Sequence, residues 1–150
     1  MIVMKTAALA AVFLCWFTAM TSAFADQNPL AAYQWQNRIV LLYAQKQNDE
    51  RLRSQRESLL QHQDALADRE LVVLRVTEDE PPEAVFENIS GSGFFGNLID
   101  FFDLGQDDFT LLFIGKDGTE KLRRNKVTEP REIFDLIDSM PMRQREMKRD

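Results

Sequence analysis

The chain of 150 residues holds one cysteine, Cys15, and one histidine, His62. With no second imidazole, a zinc site built on a His pair is excluded, and any Ser-His-acid triad would have to run through His62. The most suggestive local string is Gly91-Ser92-Gly93-Phe94-Phe95-Gly96. It matches the glycine spacing with which dinucleotide folds bring backbone close to a pyrophosphate. Its setting is wrong for that use. Only Ala84 to Ile89 could be the strand before it, directly after Pro81-Pro82, and the helix after it, near residues 97–104, is shorter than a crossover helix. The string reads as a loop. Carboxylates are abundant, but acid and base roles require burial to separate their pKa values, and Asp103, Asp107 and Asp108 lack the spacing of a calcium loop. No catalytic residue, cofactor or metal is expected.

Charge narrows the partners. Eighteen Lys and Arg stand against 24 Asp and Glu, a net charge of −6, which argues against the broad positive field of a nucleic-acid binder. Met1 to Lys5 carries one positive charge, Thr6 to Phe17 is apolar, and Thr18 to Ala25 is small and polar. These are the three regions of a secretory leader, with Ala23-Phe24-Ala25 as the cleavage signal. Cleavage after Ala25 is expected, leaving residues 26–150 as one exported domain, periplasmic or secreted. The apolar run is shorter than the roughly 18 residues of a membrane span. The bulky Leu14 before Cys15 argues against lipidation. Cleavage removes Cys15, so the exported chain would carry no thiol and no disulfide.

Three short β-branched or aromatic runs read as buried strands: residues 38–44, 71–76 and 109–114. Between the first two, Asn48 to Asp68 is free of Gly and Pro. It reads as one helix capped by Asn48, with Leu52, Leu59, Leu60 and Leu66 as its apolar stripe. Asp49 and Glu50 complement the dipole of its first turn, so capping rather than anion binding is expected there. Lys116-Asp117-Gly118 signals a tight turn into the polar edge strand 119–124. Thr128 then offers a cap for a helix whose Ile133, Phe134, Ile137 and Met140 recur at helical spacing until Pro141. The expectation is a βαβ unit followed by ββα, an α/β fold with a central mixed four-stranded sheet flanked by helices.

That order resembles the thioredoxin-like fold. More narrowly, Tyr33-Gln34-Trp35-Gln36-Asn37-Arg38, Leu112 to Gly118, and Ile137-Asp138-Ser139-Met140-Pro141-Met142-Arg143-Gln144-Arg145-Glu146 resemble the DUF4174 family over most of residues 30–149. The resemblance implies a peroxiredoxin-like fold in a secreted setting and brings no agreed activity. A thioredoxin-like enzyme places its cysteine between the first strand and the following helix, where this chain has Ala44-Gln45-Lys46-Gln47-Asn48-Asp49. It also places a proline just before the third strand of that core, where this chain has Asp108. Thiol oxidoreductase chemistry is therefore disfavoured.

What remains is recognition of an unknown protein or anionic ligand. Phe94 and Phe95 lie in a loop rather than on the stripe of Leu98, Ile99, Phe101, Phe102 and Leu104, and so are candidates for an exposed apolar contact. The hairpin cations Lys116, Lys121, Arg123, Arg124 and Lys126 form a basic patch for which surface solvation is the usual explanation and contact with an acidic partner or an anionic lipid headgroup the alternative. After Pro141, Arg143, Arg145, Lys148 and Arg149 alternate with Met142 and Met147. Arg143 and Arg145 are expected to grip a carboxylate or phosphate, with Met142 beside them. A non-catalytic binding module is the reading. A thiol-independent extracytoplasmic enzyme, or an accessory protein of a redox pathway, is the alternative.

Overall fold

The computed structural model describes residues 28–86 and 97–149. Five strands form one mixed sheet in the order β3-β2-β1-β4-β5. They are β1 (Arg38–Ala44), β2 (Leu71–Thr77), β3 (Glu83–Phe86), β4 (Phe109–Ile114) and β5 (Glu120–Arg124). β1 runs parallel to β2 with Arg38 opposite Leu71 and Ala44 opposite Thr77, and antiparallel to β4 with Leu41 opposite Leu112. β4 and β5 form the expected hairpin, and its Gly118 adopts a φ of 78° in the turn. The fifth strand corrects the four-stranded expectation. β3 is four residues long and pairs with β2 across a register shift, and its half-buried residues lack the apolar run that marks the central strands.

Alternation along the strands separates two apolar layers. Val40, Leu42, Val73, Leu111 and Phe113 face a helical layer contributing Leu52, Leu59, Leu66, Ile133 and Ile137. Ile39, Leu41, Tyr43, Val72 and Leu112 face Leu30, Tyr33, Leu98, Phe102 and Leu104. The helix between β1 and β2 is interrupted: α1 (Glu50–Leu60) and α2 (Gln63–Asp68) meet at Gln61 and His62. Its cap is Asp49 rather than Asn48, because the Asp49 Oδ1 accepts from the amides of Arg51 and Leu52. Leu60 is only half-buried, and the buried polar residue of this layer is Gln55. Its amide both donates to the Thr128 carbonyl at 2.9 Å and accepts from the Thr128 amide at 2.6 Å. Thr128 is not the cap expected from sequence: its hydroxyl donates to the Lys126 carbonyl at 3.1 Å, and Glu129 is the residue before α4 (Pro130–Asp138), with no side-chain capping bond. Helix α3 (Leu98–Phe101) is one turn long. Pro141 does not end the helical segment but opens a further helix, α5 (Pro141–Glu146), as its fixed φ suits a first helical position. No helix among the described residues is long and apolar enough to cross a membrane.

Candidate interaction surface

α5 is only six residues long and is held by charge rather than by its methionines. Arg143 is 4% exposed; its guanidinium donates to the Asp68 carbonyl at 2.8 Å and to the Asp68 carboxylate, and lies 3.4 Å from Asp138 Oδ1. Glu146, one turn on, accepts from Arg38 at 3.1–3.2 Å and from Lys116 at 2.8 Å. Lys116 also pairs with Glu70, and Arg69 joins Asp138 while its guanidinium stacks 4.8 Å over the Phe134 ring. Five segments are thus tied together: the start of β1, the α2–β2 turn, the β4–β5 turn, the end of α4, and α5. Burial pushes the Glu146 carboxyl up, but Lys116 and Arg38 outweigh it and hold it below the usual carboxylate range.

The expected ligand-gripping pair is therefore divided. Arg143 faces inward with its donors engaged, whereas Arg145 is exposed and makes no side-chain bond among the described residues. Met142 and Met147 are the outward residues, at 38% and 43% exposure. A basic segment reads as solvated because arginine is costly to bury alone. Here Asp68 and Asp138, contributed by other elements, remove that cost. The hairpin cations are also largely engaged: Lys121 with Asp117, Arg123 with Glu120, and Arg124 with Glu132. Phe94, Phe95 and the glycine string lie outside the described residues, as do Cys15 and the leader.

Beside α5 is a groove of about 250 Å³ lined by Arg38, Gly115, Lys116, Asp117, Lys121 and the Met140-Pro141-Met142 stretch. Its walls are mainly apolar, from methionine, proline and the stems of the long cations. Three of the lining residues are cationic and one is acidic, in a protein that is acidic overall. Arg145 stands three positions from Met142, on the neighbouring face of the same helix.

Sequence reasoning missed a further residue at this surface. Trp35 is 64% exposed and holds a left-handed φ of 66°, uncommon for a bulky side chain. Its amide donates to the Lys116 carbonyl at 2.6 Å, and Gln34 donates to the Asp117 carbonyl at 3.0 Å, so the loop is fixed against the hairpin turn. A β-carbon at Gly118 would lie only 3.3 Å from the Asn28 side-chain nitrogen and 3.4 Å from that of Gln34, so the glycine lets this loop approach the turn closely. Glu70, on the other side of Lys116, is left-handed as well, with φ 48°. The signal available in sequence was a tryptophan between two glutamines, a placement that suits a wet surface better than a core.

Tyr43 is fully buried and donates to Glu78 Oε1 at 2.6 Å. Burial, that bond and the charges of Glu78 and Asp108 push its phenol well above the ordinary range, so it stays protonated at neutral pH. Among the described residues no three His, Cys, Asp or Glu side chains form a group that could hold a metal ion.

No curated protein and no solved structure matches the chain. The profile of one family does, over residues 29–146, which takes in the Trp35 loop, the hairpin and the whole of α5. The chain therefore belongs to the family described as a domain of unknown function, DUF4174.

Proposed function

We propose that the protein is an exported binding module of thioredoxin-like fold that performs no thiol chemistry and takes a partner segment into the groove beside α5. The β2-β1-β4-β5 order, parallel at β1–β2 and antiparallel elsewhere, supports the fold reading. The leader-like N-terminus supports export, and Gln45 to Asn48 at the head of α1 supports the absence of thiol chemistry. The observation that carries the binding role is the groove itself: apolar walls, the exposed Met142 in its lining, and the loop of the exposed Trp35 bonded through its backbone to the lining residue Lys116. Such a surface suits a protein segment with apolar side chains, which would be removed from water; the lining cations Arg38, Lys116 and Lys121 are already paired with Glu146, Glu70 and Asp117, so a carboxylate on that segment would be met outside the lining. Arg145 supplies an unengaged fork for a carboxylate.

The test is a photo-crosslinking amino acid placed at Met142 in the native host, with Arg131 on α4 as an exposed control position. Discrete adducts from position 142 that are absent from position 131 and weakened by R145E are expected. Equal labelling from both positions, or none at 142, would overturn the assignment. Sequencing the N-terminus of the exported protein tests the leader, and an N-terminus before Ala25 would remove the export reading.

A further inference from the structure

A second cavity, of about 350 Å³, lies at the other end of the sheet, lined by Gln47, Asn48, Leu52, Arg53, Arg56 and Arg75. The loop residues Gln47 and Asn48 follow the C-terminal end of β1, and Arg75 comes from β2 near its own C-terminal end. Crevices outside the carboxyl ends of parallel strands are where α/β sheets commonly take ligands. We propose that this cavity binds a compact oxyanion of two or more negative charges, of phosphoryl or carboxylate type. The binding groups are the arginines and not the helix terminus, because Asp49 already occupies the first-turn amides of Arg51 and Leu52. Arg53 and Arg56, three positions apart on α1, are both exposed, and among the described residues neither guanidinium makes a hydrogen bond or ion pair. Arg75 differs: Glu80 and Glu83 hold it at 2.7 and 2.8 Å, which fixes its guanidinium as a wall of the cavity. Those carboxylates, with Asp79 against the Gln47 amide, would repel an extended anionic surface such as a membrane or nucleic acid. Those carboxylates are engaged by Arg75 and the Gln47 amide and pair with neither Arg53 nor Arg56, whose two guanidinium forks suit the paired oxygens of a small ligand.

The test is NMR titration of the purified protein at constant ionic strength with pyrophosphate, with citrate, and with vesicles containing anionic lipid. Saturable shifts at Asn48 and Arg75 with pyrophosphate or citrate are expected, and which of the two binds more tightly identifies the ligand as phosphoryl or carboxylate. R53Q/R56Q should weaken binding at least about tenfold, and R145Q should leave it unchanged. An absence of shifts up to about 10 mM, a response unaltered by R53Q/R56Q, or binding to vesicles alone overturns the proposal. Because the groove beside α5 lies at the opposite end of β1, either assignment can fail without the other.

Discussion

Two positions along an α-helix turn about 200°, and this separates the fates of Arg143 and Arg145. Arg143 is buried with its donors divided between Asp68 and Asp138; Arg145 points to water. Replacing Arg143 with Ala leaves Asp68 and Asp138 with Arg69 alone and opens the joint between α5 and the α2–β2 turn. A loss of about 2–3 kcal/mol is expected, lower than for a fully enclosed pair because Asp68 is more than half exposed. R145A should change stability by no more than about 0.5 kcal/mol. Urea denaturation of the two variants beside the parent checks both values, and equal losses would mean that both arginines are structural. Trp35 gives the converse case. Its left-handed backbone costs on the order of 1 kcal/mol, a cost asparagine tolerates better than a bulky ring. Trp35→Asn is expected to leave stability unchanged or raise it by up to about 1 kcal/mol while reducing adducts from position 142. A marked loss of stability would show instead that the indole is packing against its own domain.

At the scale of elements, the central strands were legible because β1, β2 and β4 are buried on both faces and so are continuously apolar in sequence. The hairpin was legible from Asp117-Gly118, whose glycine takes the positive φ that the turn requires. β3 was legible only in part: Ala84 to Phe86 falls within the stretch that could stand as a strand before the glycine string, but an edge strand of four residues with half its surface wet leaves no periodic trace to place it in the sheet. The inward turn of Arg143 was not legible, since its acceptors come from Asp68, far away in the chain, and no local pattern records a long-range ion pair. Gln55 is a third case. A glutamine in an apolar stripe reads as a defect, yet its amide satisfies both backbone groups of Thr128, which is itself buried. It fastens α1 to the segment leading into α4, taking the place of a strand partner. Gln55→Leu keeps the volume but leaves a buried N–H and C=O unpaired, so a loss of about 2–4 kcal/mol is expected. Hydrogen exchange at the Thr128 amide should accelerate with it; an unchanged exchange rate would mean that the amide opens by a route independent of Gln55.

Across the whole molecule, an acidic chain is joined by cations set between acids from different elements: Arg38 and Lys116 on Glu146, Arg69 and Arg143 on Asp138. This arrangement makes acid the natural solvent of the fold. The Glu146 carboxyl is lowered as described above. Asp49 is lowered by its bond to Arg51 and by the amides it caps, against the opposing effect of burial. For Asp117, burial acts upward but Lys121 and Thr119 outweigh it. Each group has a folded pKa below its unfolded value, so its stabilising contribution is complete above about pH 4–5 and is lost as pH falls through the folded pKa. Protonating Glu146 removes the charged partner on α5 of Arg38, whose side chain is only 2% exposed, and of Lys116, which keeps Glu70, thereby releasing α5 from the start of β1 and from the hairpin turn. Between pH 7 and 5 these three carboxyls should leave stability flat, with a decline setting in below that. Glu146→Gln should cost about 1–2 kcal/mol at pH 7, because the amide keeps one acceptor oxygen for Lys116 and Arg38 but loses the second acceptor and the charge. Having lost the titrating group already, it should then decline less steeply than the parent as pH is lowered toward 3. Chemical denaturation at pH 7, 5, 4 and 3 measures both curves. Parallel curves would place the acid-sensitive joint elsewhere, at Asp49 or Asp117, whereas convergence at low pH would identify Glu146 as the group through which acid loosens α5 and, with it, one wall of the groove.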